Sequence, residues 1–212
     1  MQDNRRLFII GAGSFGREVE SWLELIPELK RNWHLEGYLD KDKKTLKVYP
    51  SDYHIIGDEE NFDFKEDDFV ILAISEPKIK ERIYFKLKQK VNFFTYISPN
   101  AIIGKNIVIG EGSIICPNTI LTTNIKIGMC TLLNIGSQIG HDCIIGNFTT
   151  INANVDISGK CVIGKRSFFG SNSIVIPGRK IGDDTKIGAG SVVIRNVKEN
   201  TTVFGNPARK IK

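Results

Sequence analysis

Written in blocks of six from Ile97, the second half of this chain keeps one rule without interruption: all 17 blocks, from ISPNAI to VIRNVK, open with Ile, Leu, Val or Phe. Gly fills the second place in nine of them, and the fifth is mostly small or β-branched, as at Ser113, Thr119, Cys143 and Ser173. A hexad period marks a parallel β-helix in which each block makes one short flat side and a turn. Three sides close a coil of 18 residues, so each leading side chain should point inward and stack on those 18 residues away, Leu133 between Ile115 and Ile151 for instance. Small second and fifth residues let the backbone turn the corners, and Gly reaches backbone angles that other residues avoid. The 17 hexads give nearly six coils, a prism about 27 Å tall at a strand spacing of ~4.8 Å.

The first half is built differently. Of 19 aromatic residues, 15 precede Ile97, whereas 15 of the 20 glycines follow Tyr96. The net charge of +5 divides into −2 for residues 1–96 and +7 for residues 97–212, so the basic excess belongs to the prism and is no signature of nucleic-acid binding. Three segments follow: 1–96, 97–198 and a C-terminal tail, 199–212. Leu7 to Ile10 form an apolar run that ends in Gly11-Ala12-Gly13-Ser14-Phe15-Gly16, and Val19, Trp22, Leu23 and Ile26 then fall on one helical face. Trp33 to Leu39 and Phe69 to Ile74 read as strands, Pro77 to Lys90 as a helix with Ile79, Ile83 and Leu87 inward, and Phe93 to Ile97 as the lead into the prism. This strand-loop-helix order at under 100 residues is about half of a Rossmann-like dinucleotide-binding fold.

Two places carry chemistry. GAGSFG, after a strand and before a helix, offers backbone N–H groups to a phosphate, and Asp40 at the end of the next strand can accept from a ribose or base. NAD or any nucleotide diphosphate suits such a site; a tight turn whose glycines serve packing is the plain alternative. In the prism, His141 holds the third place of IGHDCI, outward of the core, with Asp142 beside it. A carboxylate next to an imidazole fixes its tautomer and supports a general base. Only His34, His54 and His141 occur in the chain, so the prism cannot assemble three imidazoles for zinc, and no metal is expected. Cys116, Cys130, Cys143 and Cys161 lack CxxC spacing and read as small packing residues, Cys143 and Cys161 one coil apart.

With GAGSFG at one end, IGHDCIIGNF in mid-prism and GNPARKI at the other, the chain from Leu7 to Ile211 resembles the bacterial sugar O- and N-acyltransferases. These include sialic acid O-acetyltransferases and N-acetyltransferases of UDP- or GDP-4-amino sugars. The resemblance implies a left-handed β-helix, acetyl-CoA as co-substrate, and a homotrimer with active sites between subunits. It implies that His141 is the catalytic base and that Asp142 orients it. Asn134 would contact the sugar, Gly159 would place its N–H near the thioester carbonyl, and Gly188, Ala189 and Gly190 would follow the CoA arm. Gly11, Gly13, Ser14, Gly16 and Asp40 would hold the nucleotide of a nucleotide sugar rather than NAD. The chain departs from the family at Thr150, where some members carry a second histidine, and at Ser14-Phe15, where the glycine loop often holds one.

The activity so implied is acetyl transfer to an amino group of a nucleotide-linked deoxysugar, as in the making of surface polysaccharides and glycans. A sialic-acid-type O-acetyltransferase, or a hexapeptide acetyltransferase with a non-nucleotide acceptor, is the alternative. No apolar run approaches the roughly 18 residues of a membrane span, and no basic segment plus apolar core follows Met1; a cytoplasmic protein without membrane or nucleic-acid partners is expected.

Overall fold

The fold comes from a computed structural model, which describes residues 5–49 and 51–212. In β1 (Arg5–Ile10), Leu7 and Ile9 enter one core while Phe8 and Ile10 enter another, the period of two expected of a strand buried on both faces. Around it stand α1 (Ser14–Leu23), β2 (Trp33–Leu39), β3 (Ile55–Gly57), β4 (Phe69–Leu72), α2 (Pro77–Leu87) and β5 (Asn92–Phe93). The five strands are parallel in the order β3-β2-β1-β4-β5. That is the order of a doubly wound sheet, with its switch point between β1 and β4, where such sheets bind ligands beyond the strand ends. The strand β3 had no clear sequence signal, and the third apolar run stops at Leu72 rather than Ile74.

Tyr96–Ile97 opens the second architecture by pairing with Ile114–Ile115. From there strands pair in parallel at a constant offset of 18: Leu133 lies between Ile115 and Ile151, and Ile145 pairs with Ile127 and Ile163. This is the expected left-handed β-helix of hexapeptide repeats. Fourteen leading residues, Ile115 to Val193, are buried in one continuous cluster. The first coil differs from expectation. Ile97 is 40% and Ile103 39% exposed, because an end coil has a neighbour on one side only. The C-terminal segment extends the stack: Thr202–Phe204 pairs with Lys186–Ile187, and Arg209–Lys210 closes the edge antiparallel.

The corners also work differently from the sequence reading. Left-handed backbone sits at the fourth place of each hexad from Asn106 to Gly190, occupied by Asn, Asp, Gly and a few others. The second-place glycines do not supply it. A Cβ at Gly110 or Gly146 would come within 2.5 Å of the next coil's backbone nitrogen, so these glycines permit close stacking.

The two architectures pack on each other. Val19, Leu23 and Trp33 share a core with Ile114, Cys116 and Leu132 of the prism, and Ile83, Tyr84 and Leu87 share one with Cys130 and Phe148. The inward face of α2 is therefore not the Ile79 face, since Ile79 is exposed while Lys80 is buried. The Lys80 ammonium donates to Thr149 O at 3.0 Å and Thr150 Oγ1 at 2.9 Å, and Thr150 Oγ1 donates to Ser75 O. Burial pulls the Lys80 pKa down to about 7. Arg166 adds a bridge, bonded to Asp184 of the prism and Glu81 of α2.

Candidate active site

His141 projects from the corner that follows the strand Gln138–Ile139, and its ring is solvent-exposed. The ring's Nδ1 meets Asp142 Oδ2 at 2.8 Å, which leaves Nε2 free to take a proton. Asp142 occupies a left-handed fourth place (φ +59), a conformation that Asp tolerates through its short polar side chain. The hydrogen bond from His141, then that from Asn124, holds the Asp142 carboxyl below its usual pKa. Asn124 lies 18 residues earlier and gives Asp142 Oδ1 a bond of 3.2 Å; Asn106, one coil earlier again, bonds Asn124 Oδ1 at 3.0 Å. The dyad thus hangs from a polar ladder along one corner of the prism.

Gly159 stands one coil beyond His141 in the same corner. A Cβ there would meet His141 Nε2 at 2.5 Å and Cε1 at 2.8 Å, so the glycine makes room for the imidazole. Its own N–H has no hydrogen-bond partner among the described residues, while Lys160 N–H donates to His141 O. A free donor beside a base is the arrangement in which an oxyanion can be met.

Asn134, Gly188, Ala189 and Gly190 lie elsewhere. Asn134 and Gly188 belong to the preceding corner, stacked with Asn152 and Gly170 at intervals of 18. One flat side, roughly 16 Å at ~3.3 Å per residue, separates that corner from His141 within a chain. Thr150 belongs to the side facing α2 and is buried under Lys80, away from the dyad.

In the α/β domain the glycine loop lies at the switch point. Gly11 turns with φ +100, and Gly16 lacks a Cβ because it packs directly on the Gly11 carbonyl. Gly13 caps α1 with open space around it, no side chain caps the helix, and its first turn holds no acidic residue. Ser14 and Gly13 are exposed. Asp40 is already engaged: Oδ2 accepts from Ala12 N–H at 2.8 Å and Oδ1 from Asp42 N–H at 2.9 Å, so it ties the loop to the end of β2.

A family described as the PglD N-terminal domain matches residues 6–87, and the bacterial transferase hexapeptide repeat matches residues 160–195, together more than half the chain. The chain belongs to the hexapeptide-repeat acyltransferases with a PglD-type N-terminal domain. Among solved structures, WeeI from Acinetobacter baumannii AYE is 28% identical over 98% of this chain and 100% of its own, with a TM-score of 0.79. The acetyltransferase domain of PglB from Neisseria gonorrhoeae FA1090 is 23% identical over 98% and 100%, TM-score 0.87. PerB from Caulobacter crescentus, in complex with CoA and GDP-perosamine, is 24% identical over 97% of each chain, TM-score 0.85. Curated proteins provide no match.

For this acyltransferase, three features escaped the sequence reading. The Asn106-Asn124-Asp142 ladder was visible in principle at a spacing of 18 in the fourth places. The burial of Lys80 had no local signal, because its acceptors lie about 70 residues away. Asp40 stood out in the sequence as a nucleotide-binding candidate, but not for the part it takes in holding the loop, which depends on the loop's own N–H groups. All four cysteines are free and buried. Cys143 is fully buried in the prism core, where its thiol donates to Ser158 O at 3.3 Å and accepts from Cys161 N–H at 3.4 Å, the surroundings of a packing residue. No helix is long and apolar enough to cross a membrane, and no group of three or more His, Cys, Asp or Glu could hold a metal ion among the described residues.

Proposed function

We propose that this acyltransferase moves the acetyl group of acetyl-CoA to an amino group of a nucleotide-linked deoxysugar, with His141 as the general base. The observation that carries the proposal is the dyad itself, its Nε2 free and its ring seated on Gly159. The amine nitrogen attacks the thioester carbonyl as Nε2 takes its proton; the C–N bond forms, the C–S bond breaks, and the proton passes from His141 to the leaving thiolate. Asp142 stabilises the imidazolium between those steps. Negative charge on the carbonyl oxygen would be met by the free Gly159 N–H, a donor of a kind worth about 3 kcal/mol.

The nucleotide of the acceptor would sit at the Gly11, Gly13, Ser14 and Gly16 loop, with the open N-terminus of α1 facing its phosphates. Asp40 keeps lone pairs for a ribose or base while holding the loop. PerB, whose structure contains CoA and GDP-perosamine, supports this pair of substrates; structures of that enzyme with one histidine changed to Asn or Ala also contain both. The separation of Asn134 and Gly188 to Gly190 from His141 and Gly159 favours a homotrimer in which one prism's corner faces the other corner of the next. A cytoplasmic setting belongs to the same reading, since four free thiols suit a reducing compartment.

The test is thiol release from acetyl-CoA with UDP-, GDP- and dTDP-4-amino sugars and sialic acid as acceptors. One amino sugar should be consumed, and His141→Ala should lower its turnover by 10²- to 10⁴-fold with the fold intact. Release with sialic acid alone, or near-normal turnover in the variant, would overturn the reading. For the shared site, His141→Ala and Asn134→Ala proteins are mixed after dissociation. Return of activity supports sites between subunits, and none argues for sites within one chain.

A further inference from the structure

From Asn106 to Gly190 the left-handed fourth places belong to Asn, Asp or Gly, except at Cys130, Phe148, Lys160 and Arg166. Any other side chain is strained there, so each exception calls for a cause. Three have one. Cys130 and Phe148 are buried against α2, and Arg166 bonds Glu81 of α2 and Asp184. Lys160 (φ +61) is exposed, and its ammonium forms no ion pair among the described residues. Nothing in the packing accounts for a lysine at this place.

Its surroundings do. Lys160 stands one coil beyond Asp142 and directly after Gly159, the seat of the His141 ring. Lys160 N–H donates to His141 O at 2.7 Å, so the backbone that carries the ammonium is tied to the residue that carries the imidazole. The ammonium also reaches the carboxylate: after the hydrogen bonds from His141 and Asn124, its charge helps to hold the Asp142 pKa down. The next coil sets Pro177 and Gly178 over Gly159 and Lys160, and neither has a side-chain donor; Arg179 Nε beyond them turns to Pro177 O at 3.1 Å. An unpartnered N–H and an unpaired ammonium on consecutive residues beside one imidazole match a carbonyl oxygen that gains negative charge as its carbon is attacked. Lysine suits that part as a point charge on a flexible stem.

We infer that Lys160 is a further catalytic residue, its ammonium joining the Gly159 N–H in stabilising the oxyanion that forms when the thioester carbonyl is attacked. The inference rests on the acetyl transfer proposed above, and its test separates the two. Lys160→Asn suits the left-handed place, so in urea unfolding the variant should be as stable as the parent or more so. Its kcat should nevertheless fall about 10-fold at every pH, less than for a buried oxyanion donor because the side chain stands in water. KM for acetyl-CoA and for the sugar should stay within about 2-fold, and Lys160→Arg should restore most of the rate. At saturating substrate, added salt should slow the parent toward the variant and leave the variant unchanged, a response that a purely structural residue does not give. Thiol release to water is followed in parallel without any sugar; the same oxyanion forms as water attacks, so Lys160→Asn should slow it alike.

Unchanged kcat in Lys160→Asn would overturn the inference. So would a raised KM for acetyl-CoA at unchanged kcat, the mark of a contact with the donor's phosphates, or a rate loss confined to low pH, the mark of a residue acting through the dyad. Thiol release to water but to no sugar would defeat the proposed acceptor and leave Lys160 measured in the hydrolysis. No thiol release by the parent would defeat both.

Discussion

In the prism one rule serves fourteen buried positions, whereas in the α/β domain each buried side chain has surroundings of its own. The repeat assigns its first place to the core, its second to close stacking and its fifth to small buried side chains, with the left-handed turn at the fourth. It leaves the third and fourth facing outward, and there His141 and Asp142 stand. In the α/β domain the site is set by topology instead: the glycine loop matters because β1 adjoins β4 at the switch point. On the proposed reading the base is to be sought among the places that the period leaves free, and the nucleotide site in the strand order.

The largest effect expected from this contrast is on stability. Inside the prism each coil's core column touches only the coils next to it, so the cost of a core deletion should follow position along the stack. Ile151→Ala, in a fully buried column, should cost about 3 kcal/mol. Ile103→Ala, 39% exposed in the first coil, should cost under about 1 kcal/mol. Urea unfolding at one fixed protein concentration measures both. Equal losses would mean that something covers the first coil in solution.

Gly159→Ala probes the site with slightly less energy at stake. The new methyl would occupy the space of the His141 ring and push the imidazole off its seat. Turnover should fall about 100-fold, equivalent to about 2.7 kcal/mol, with little change in stability because the nearest atoms a methyl meets are those of the exposed His141 ring, which can move aside. Unchanged turnover would detach the seat from catalysis.

The same contrast decides what could be read in advance. The prism was legible because 17 hexads repeat one environment, and Leu133 stacks between Ile115 and Ile151 as the period required. The end of the stack was not, since a period carries no mark of where neighbours stop. Hence Ile97 and Ile103 were expected inside. The pairing of His141 with Gly159 lay in the sequence as a spacing of 18, but its meaning needed the coil. In the first half, β1, the glycine loop and α1 were legible from local pattern. The buried face of α2 was not: Lys80 breaks the apolar pattern and is explained only by oxygen atoms of the prism.

Lys80 gives the next prediction, a pH dependence. Its pKa falls to about 7 in the folded chain and returns to the ordinary lysine value on unfolding. Between those values the unfolded chain binds more protons, so stability rises with pH, by at most about 1.4 kcal/mol per unit from this group. Below pH 7 both states are charged and its contribution is flat. The groups that modulate it, Cys130 of the prism and Glu76 beside α2, remain in both proteins when Lys80→Met is compared with the parent. The difference in unfolding free energy should shift in favour of the parent as pH rises from 7 toward 10. Parallel curves would mean that Lys80 titrates normally, and that the contact between domain and prism is looser than the buried amine implies.

The smallest effect concerns the ladder behind the dyad. Asn124 occupies a left-handed position (φ +55), so Asn124→Gly removes the side chain without the strain that Ala would add. Asp142 then loses the second of its two side-chain donors and keeps the first, His141. Its carboxyl pKa, followed by carbon NMR, should rise toward the ordinary value, yet by less than in His141→Ala. Turnover should fall only about 2-fold, because the imidazole keeps the hydrogen bond that sets its tautomer. A larger loss than that from Gly159→Ala would reverse the order of importance. The fourth-place ladder, rather than the seat on Gly159, would then hold the base in position, and the repeat itself would be part of the catalytic apparatus.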